Sequence, residues 1–298
     1  MNKIAMKTAL EENTRAVNQT LDRLLPLDSE LPESRLEEAM RYAALGYGKR
    51  VRPFLVMASA ALFNVPEERA LRVGAAVEMV HAYSLVHDDL PCMDDDELRR
   101  GQPTVHKKFD EATAVLVGDA LLTRAFEVLA ADDTHPDSHV RIELVRALAE
   151  AAGPTGMVGG QMLDLLAEEK ALDVAEVTRL QRMKTGNLIG FAAEAGAVLG
   201  RAPETSRHAL HAYAHDLGLA FQIADDLLDV EGDAAVVGKA TGKDGARGKS
   251  TFVSLLGTER AREQGRMLAD QAARHLEVFD EKADPLRDFV HFVTERRS

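Results

Sequence analysis

Asp88-Asp89-Leu90-Pro91-Cys92-Met93-Asp94-Asp95-Asp96-Glu97-Leu98-Arg99-Arg100-Gly101 closes an apolar run, Val73 to Val86, with six acids in ten residues and two arginines directly after. Carboxylates this close repel one another unless cations lie between them. Ligands that are all oxygen, with one histidine beside them, suit a hard cation such as Mg²⁺. A solvated acidic turn at a helix end is the ordinary explanation of a single such run. A second copy changes the balance. Asp225-Asp226-Leu227-Leu228-Asp229 ends another apolar run, Leu217 to Ala224, and Asp225 and Asp229 share a helix face at i, i+4. Two acid clusters, each closing an apolar helix, can face each other across a cavity and hold a metal-bound diphosphate between them.

Further short motifs stand in order along the chain. They are Gly48-Lys49-Arg50-Val51-Arg52-Pro53, Gly118-Asp119, Gly159-Gly160-Gln161, Lys184-Thr185-Gly186, Phe221-Gln222 before the second acid motif, and Lys239 and Lys249 after it. Each alone is weak. Together with the acid motifs, in this order and over most of the chain, they make the sequence resemble the trans-isoprenyl diphosphate synthases, and among these the bacterial farnesyl type.

Composition sets wider bounds. The 298 residues are 46% hydrophobic, enough for a sizeable core, and the net charge is −13. That charge argues against nucleic acid as the main partner. It does not argue against phosphate ligands, since local cations and bound metals invert the local field. The single Cys92 leaves no intramolecular disulfide and fits a reducing cytoplasm. No stretch nears 18 uninterrupted apolar residues, so no membrane span is expected, and the N-terminus lacks the apolar core of a signal peptide.

Helical periodicity dominates and no run of alternating strands is visible, so the fold is read as all-α. Residues 1 to 25 form an amphipathic helix with Leu10, Val17, Leu21, Leu24 and Leu25 on its buried face. Ser34 and Glu37 make a capping box for a helix through Leu45, and Asp173 with Glu176 another for a long helix to Leu199. Val73 to Leu90 is the first motif helix, with Val77, His81, Ser84 and Asp88 near one face. Pro91 predicts a kink or end that swings Asp94 back toward Asp88. His81 reads equally as a core histidine. Leu116 to Leu129 is a further helix, and residues 131 to 139 are a polar surface loop. Gly186 predicts a local bend that frees a backbone carbonyl. The stretch from Gly232 to Ser250 reads as a lid carrying Lys239 and Lys249 over a phosphate site. It is not a P-loop: that spacing requires glycine at 243, where Lys243 stands, and no strand precedes it. No internal repeat beyond the paired acid motifs, no low-complexity segment and no linker is found, so residues 1 to 298 form one domain.

The resemblance implies more. The fold would be a single bundle of antiparallel helices around a deep central cavity, working as a homodimer. Asp88, Asp94 and Asp225, with Asp89 and Asp229 beside them, would hold Mg²⁺, three ions per site with substrate bound, or Mn²⁺ in its place. Lys49, Arg50, His81 and Arg100 would bind isopentenyl diphosphate. Arg99 would bind the allylic partner, dimethylallyl or geranyl diphosphate, and Lys239 and Lys249 would contribute to phosphate binding from the lid. Lys184, the Thr185 carbonyl and Gln222 would stabilise an allylic carbocation. Tyr83, five places before Asp88, would close the pocket at farnesyl length, although an ideal helical wheel puts Ser84 nearer the Asp88 face. The four-residue span between Asp89 and Asp94 also matches the bacterial farnesyl type. Geranyl and geranylgeranyl synthases are the alternatives within the family.

Two readings from other classes are weaker. A di-iron carboxylate bundle needs two Glu-x-x-His motifs, and only Glu78-Met79-Val80-His81 is present. A non-catalytic prenyl synthase subunit would be expected to lose one acid motif, and both are complete.

Overall fold

The computed structural model describes residues 3–28, 30–167, 170–231 and 250–295. Among them the chain is helical almost throughout. Helices α1 (Lys3–Leu24), α2 (Ser34–Leu45), α3 (Val51–Leu62) and α4 (Glu67–Asp88) lead into the first acid motif. A two-stranded hairpin follows, β1 (Leu98–Arg99) and β2 (Gln102–Pro103), then α5 (Val105–Lys108), α6 (Glu111–Ala130), α7 (Ser138–Ala152) and α8 (Met157–Leu166). Helix α9 (Val174–Gln181) runs through a π-helical turn, Arg182–Gly186, into α10 (Asn187–Leu199). The long α11 (Glu204–Glu231) carries the second acid motif, and α12 (Phe252–Leu256), α13 (Thr258–His275) and α14 (Asp284–Thr294) complete the bundle. The all-α reading holds; the small hairpin is an addition the periodicity did not show.

Helices α3, α4 and α10 are apolar on almost every side, and this is what places them at the centre. Val73, Ala75, Ala76, Val77, Met79 and Val80 of α4 are completely buried, as are Leu188, Ala192 and Ala193 of α10. The outer helices bury one stripe each. On α14 Leu286, Phe289, Val290 and Val293 face inward, and Phe289 meets Phe54 of α3 at a ring-centroid distance of 5.2 Å. On α1 the expected face is the buried one: Leu10, Val17, Leu21, Leu24 and Leu25 all enter the core. Each fully buried leucine or valine contributes about 1.5–3 kcal/mol, so the centre of the bundle is rigid where the site needs it.

One helix start differs from expectation. Ser34 is the first residue of α2 and makes no cap; the Glu37 carboxylate instead accepts from the Asp28 backbone N–H at 2.8 Å. The Asp173–Glu176 capping box forms in full. The chain then stays helical to Leu199, but the π-helical turn interrupts the ladder at Lys184-Thr185-Gly186, where the glycine predicted a bend. Among the described residues no helix is long and apolar enough to cross a membrane.

Candidate active site

Helix α4 ends at the first aspartate of its motif. Past Pro91 the chain doubles back: the Asp94 N–H donates to the Asp88 carbonyl at 2.8 Å, and the Asp95 N–H donates to the Leu90 carbonyl at 3.1 Å. Asp95 takes the left-handed conformation that this reversal requires, φ +48°. Asp94 is thereby returned to Asp88, as the proline predicted. Burial lifts the Asp88 carboxyl to about 6; the nearby Lys184 ammonium opposes the rise and Asp94 adds to it. Tyr83, one turn earlier, is buried edge-on to His87 at 5.8 Å, and its hydroxyl is raised to about 12 by burial and by Asp88.

Asp89 points elsewhere. Arg99 grips it with Nε at 2.8 and 2.9 Å and Nη2 at 2.5 Å, in a pair that is almost fully buried on the acid's side. Asp89 therefore stands behind the acid cluster and orients Arg99. The hairpin that presents both arginines turns on Arg100-Gly101, each with positive φ, +53° and +78°. That is the geometry of a two-residue type I′ connection, and the glycine is what makes it accessible. Arg100 Nη1 donates to the Tyr47 carbonyl, which joins the hairpin to the Lys49 loop.

The basic loop corrects one expected role. Arg50, proposed from the sequence as a diphosphate ligand, is 3% exposed and is consumed by the fold. Its Nη1 pairs with Glu78 at 2.7 Å, Nη2 donates to the Ala44 and Gly46 carbonyls at 2.8 Å each, and Nε donates to Asn18 at 2.9 Å. Arg50 caps α3 in the left-handed conformation, φ +47°, and that turns its side chain into the bundle. Arg52, two residues on, is placed differently. Its Nε is buried with no hydrogen-bond partner among the described residues. Burial lowers its pKa, while Glu78 and then Asp225 act to raise it. His81 lies among the same cations; burial first, then Arg52, Arg100, Arg99 and Arg50, hold its pKa well below 6.5, so the imidazole is neutral. Lys49 is exposed at the rim.

The opposite wall is built from two close backbone approaches. A Cβ on Gly160 of α8 would lie 2.2 Å from the Lys184 nitrogen, and one on Gly218 of α11 would lie 3.2 Å from the Gly186 Cα. Gly160 is what lets α8 meet the π-helical turn, and at Gly218 the approach of α11 is tight. Lys184 Nζ pairs at 2.8 Å with Asp164, a buried acid that carries no motif in the sequence. Gln222, one turn beyond Gly218, donates through Nε2 to Asp226 at 3.0 Å. Asp225 is exposed and Asp229 half-buried on the face they share. Lys239 and Lys249 lie outside the described residues. A separate groove of about 660 Å³ opens between α7, α10 and α11, lined by Arg146, Arg182, Glu194, Arg207 and His215. None of the acid-motif carboxylates line it.

The class is defined by this arrangement: a helical bundle with two aspartate clusters, a cationic wall of Arg52, Arg99 and Arg100 around a neutral histidine, and Lys184 acting on Asp88. Such a site suits two diphosphates handled together. The polyprenyl synthetase family profile matches residues 33–285, and the chain belongs to that family. It is 47% identical over 279 residues to farnesyl diphosphate synthase of Escherichia coli strain K12, covering 92% of each chain. It is 40% identical over 297 residues to farnesyl diphosphate synthase of Geobacillus stearothermophilus, covering 99% of each. A solved structure of an FPP/GFPP synthase from Zymomonas mobilis superposes with a TM-score of 0.90 at 52% identity, covering 98% of this chain and 99% of that one.

Proposed function

We propose that this chain is a Mg-dependent trans-prenyltransferase that condenses isopentenyl diphosphate head-to-tail with dimethylallyl and then geranyl diphosphate to give farnesyl diphosphate. The observation that carries this is the pairing of walls: half-buried Asp88, with Asp94 beside it and Lys184 acting on it, and Arg52, whose buried Nε has no hydrogen-bond partner among the described residues, beside neutral His81. The similarity to farnesyl diphosphate synthases over nearly the whole chain supports the same reaction.

The acid motifs fit a hard cation. Their donors are carboxylate oxygens, and Asp88 is raised by burial and by its like-charged neighbour, a strain that a cation relieves. Asp88, Asp94 and Asp225, with Asp229 beside them and Asp89 held back by Arg99, would hold it. Mg²⁺ bound there would neutralise charge on the departing diphosphate.

The chain's own groups do the rest. Lys49, Arg52, His81 and Arg100 hold isopentenyl diphosphate, with Arg50 fixing the loop from beneath. Arg99, oriented by Asp89, faces the allylic diphosphate. As the allylic C–O bond breaks, the Thr185 carbonyl and Gln222 face the positive charge, and Lys184 lies near the leaving oxygens. The isopentenyl double bond attacks the cation, and a proton passes to the released diphosphate. Buried apolar walls keep water from the cation. One domain, residues 1 to 298, carries the whole reaction, as a homodimer in the cytoplasm.

Asp88→Ala and Asp225→Ala test this. Each should cut turnover by about 10² or more, with an unchanged circular dichroism spectrum. Near-normal turnover in either variant would refute the two-motif reading. A longer product is the second reading, favoured by the similarity to an FPP/GFPP synthase.

A further inference from the structure

Asp226 belongs to the second acid motif by sequence but not by position. It is buried, 3% exposed, and its side chain leaves the face shared by Asp225 and Asp229. One carboxylate oxygen accepts from Gln222 Nε2 at 3.0 Å; the other accepts from the Phe252 backbone N–H at 2.9 Å, at the first residue of α12. An amide has two ends of opposite polarity. Committing the Gln222 N–H₂ group to Asp226 leaves Oε1, the negative end, as the end turned away from it. One turn earlier, Gly218 packs on Gly186, so Gln222 stands beside the π-helical turn that carries Lys184 and Thr185.

We propose that Asp226 is a positioning residue that locks the flip state of Gln222, so that the amide oxygen and not the amide nitrogen faces the positive charge formed during prenyl transfer. The inference rests on the reading in which Gln222 lines the cation. In this reading Asp226 acts through Gln222.

The chemistry of asparagine makes this testable. Asp226→Asn replaces one acceptor by a donor. The Phe252 N–H cannot invert, so the asparagine oxygen stays on Phe252 and its N–H₂ turns to Gln222. Gln222 must then accept, flipping its oxygen inward and its own N–H₂ toward the cation. Asp226→Ala removes the same charge and leaves the amide unlocked, free to keep its favourable flip. Both substitutions alter the field at Asp225 equally, so their difference isolates the flip.

The experiment measures kcat and KM with isopentenyl and geranyl diphosphates at saturating Mg²⁺, together with melting temperature. The variants are Asp226→Ala, Asp226→Asn, Gln222→Leu and the two Asp226 changes in the Gln222→Leu background. Stability should fall in the order wild type, Asn, Ala, because asparagine keeps the acceptor for Phe252. Turnover should fall in the opposite order for the variants: wild type, Ala, Asn, with Asn about tenfold below Ala and KM little changed. With Gln222 already leucine, the two Asp226 variants should turn over within about twofold of each other. A kcat order that follows stability, or a full Asn-over-Ala loss without Gln222, overturns the proposal. If Asp226→Asn does not fold, a neutron structure of the wild type decides: Gln222 amide hydrogens directed at Asp226 are expected, and amide hydrogens turned into the cavity overturn the proposal. Turnover of the wild type tests the parent reading separately, and wild-type kcat in Gln222→Leu removes the role of Gln222 and this proposal with it.

Discussion

Arg50 and Arg52 are two residues apart and identical in chemistry, yet the structure assigns them opposite duties, and replacing each by methionine should separate those duties. Arg50 pairs with Glu78 at 2.7 Å where both side chains are almost wholly buried, 2% and 4% exposed. Removing the guanidinium takes from Glu78 its hydrogen-bonded partner in a buried pair and leaves it only the Coulombic attraction of Arg52 and Arg100, a loss of about 3–5 kcal/mol. Unfolding entropy near the melting point is about 2.1 cal/mol/K per residue, or about 0.6 kcal/mol/K for a chain of this length. Arg50→Met should therefore lower the melting temperature by about 5–8 °C. Arg52 makes no such pair through its buried Nε, so Arg52→Met should melt within about 2 °C of wild type. Its cost falls on binding: a hydrogen bond to a charged group is worth about 1.5–3 kcal/mol, which is about 10- to 150-fold in KM for isopentenyl diphosphate. Scanning calorimetry and initial rates with isopentenyl diphosphate as the varied substrate measure both. A stable Arg50→Met with weakened binding, beside an Arg52→Met with unchanged KM, would refute the reassignment.

Three further outcomes follow from the same geometry. Because the folded pKa of His81 is held below its unfolded value, the unfolded chain takes up a proton that the native state refuses. Stability from this group is complete above pH 6.5 and declines as the pH falls below it, by at most about 1.4 kcal/mol per pH unit; His81→Gln should flatten that slope in urea titrations at pH 5 to 7, and an unchanged slope would mean another group carries it. Gly160→Ala places a methyl 2.2 Å from the Lys184 nitrogen, so it should cost about 1–3 kcal/mol and lower kcat at least about tenfold by moving Lys184; full activity would show that α8 can retreat without effect. Tyr83→Ala should lengthen the products resolved as dephosphorylated alcohols, and unchanged farnesol output would rule out Tyr83 as the floor of the pocket.

The helices and acid motifs were legible because each leaves a periodic or compositional mark. Val73 to Val86 is mostly apolar, Pro91 must end a helix, and Asp225 and Asp229 are spaced to share a face. The Lys184-Thr185-Gly186 break was legible too, because glycine in a helix interior needs a reason. What escaped notice was the side-chain pairing. Arg50 and Arg52 look alike in one dimension; the available clue was Glu78, an acid within an otherwise apolar central helix, which must consume a cation when buried. Asp164 and Asp226 were hidden for the same reason, since an acid that orients a neighbour carries no spacing signature of its own. The hairpin at Arg100-Gly101 lacks the Asn-Gly or Asp-Gly pair that marks most such turns. The Ser34–Glu37 pattern matched a capping box, but Glu37 was taken instead by the chain returning at Asp28.

The central claim is that the two acid motifs and the Arg52–His81 wall together elongate an allylic diphosphate to the farnesyl length. The most direct measurement incubates the purified full-length chain with Mg²⁺, isopentenyl diphosphate and dimethylallyl diphosphate, then resolves the alcohols after dephosphorylation. Farnesol as the main product is the expected result. A folded protein that returns no alcohol longer than the starting unit would contradict the account.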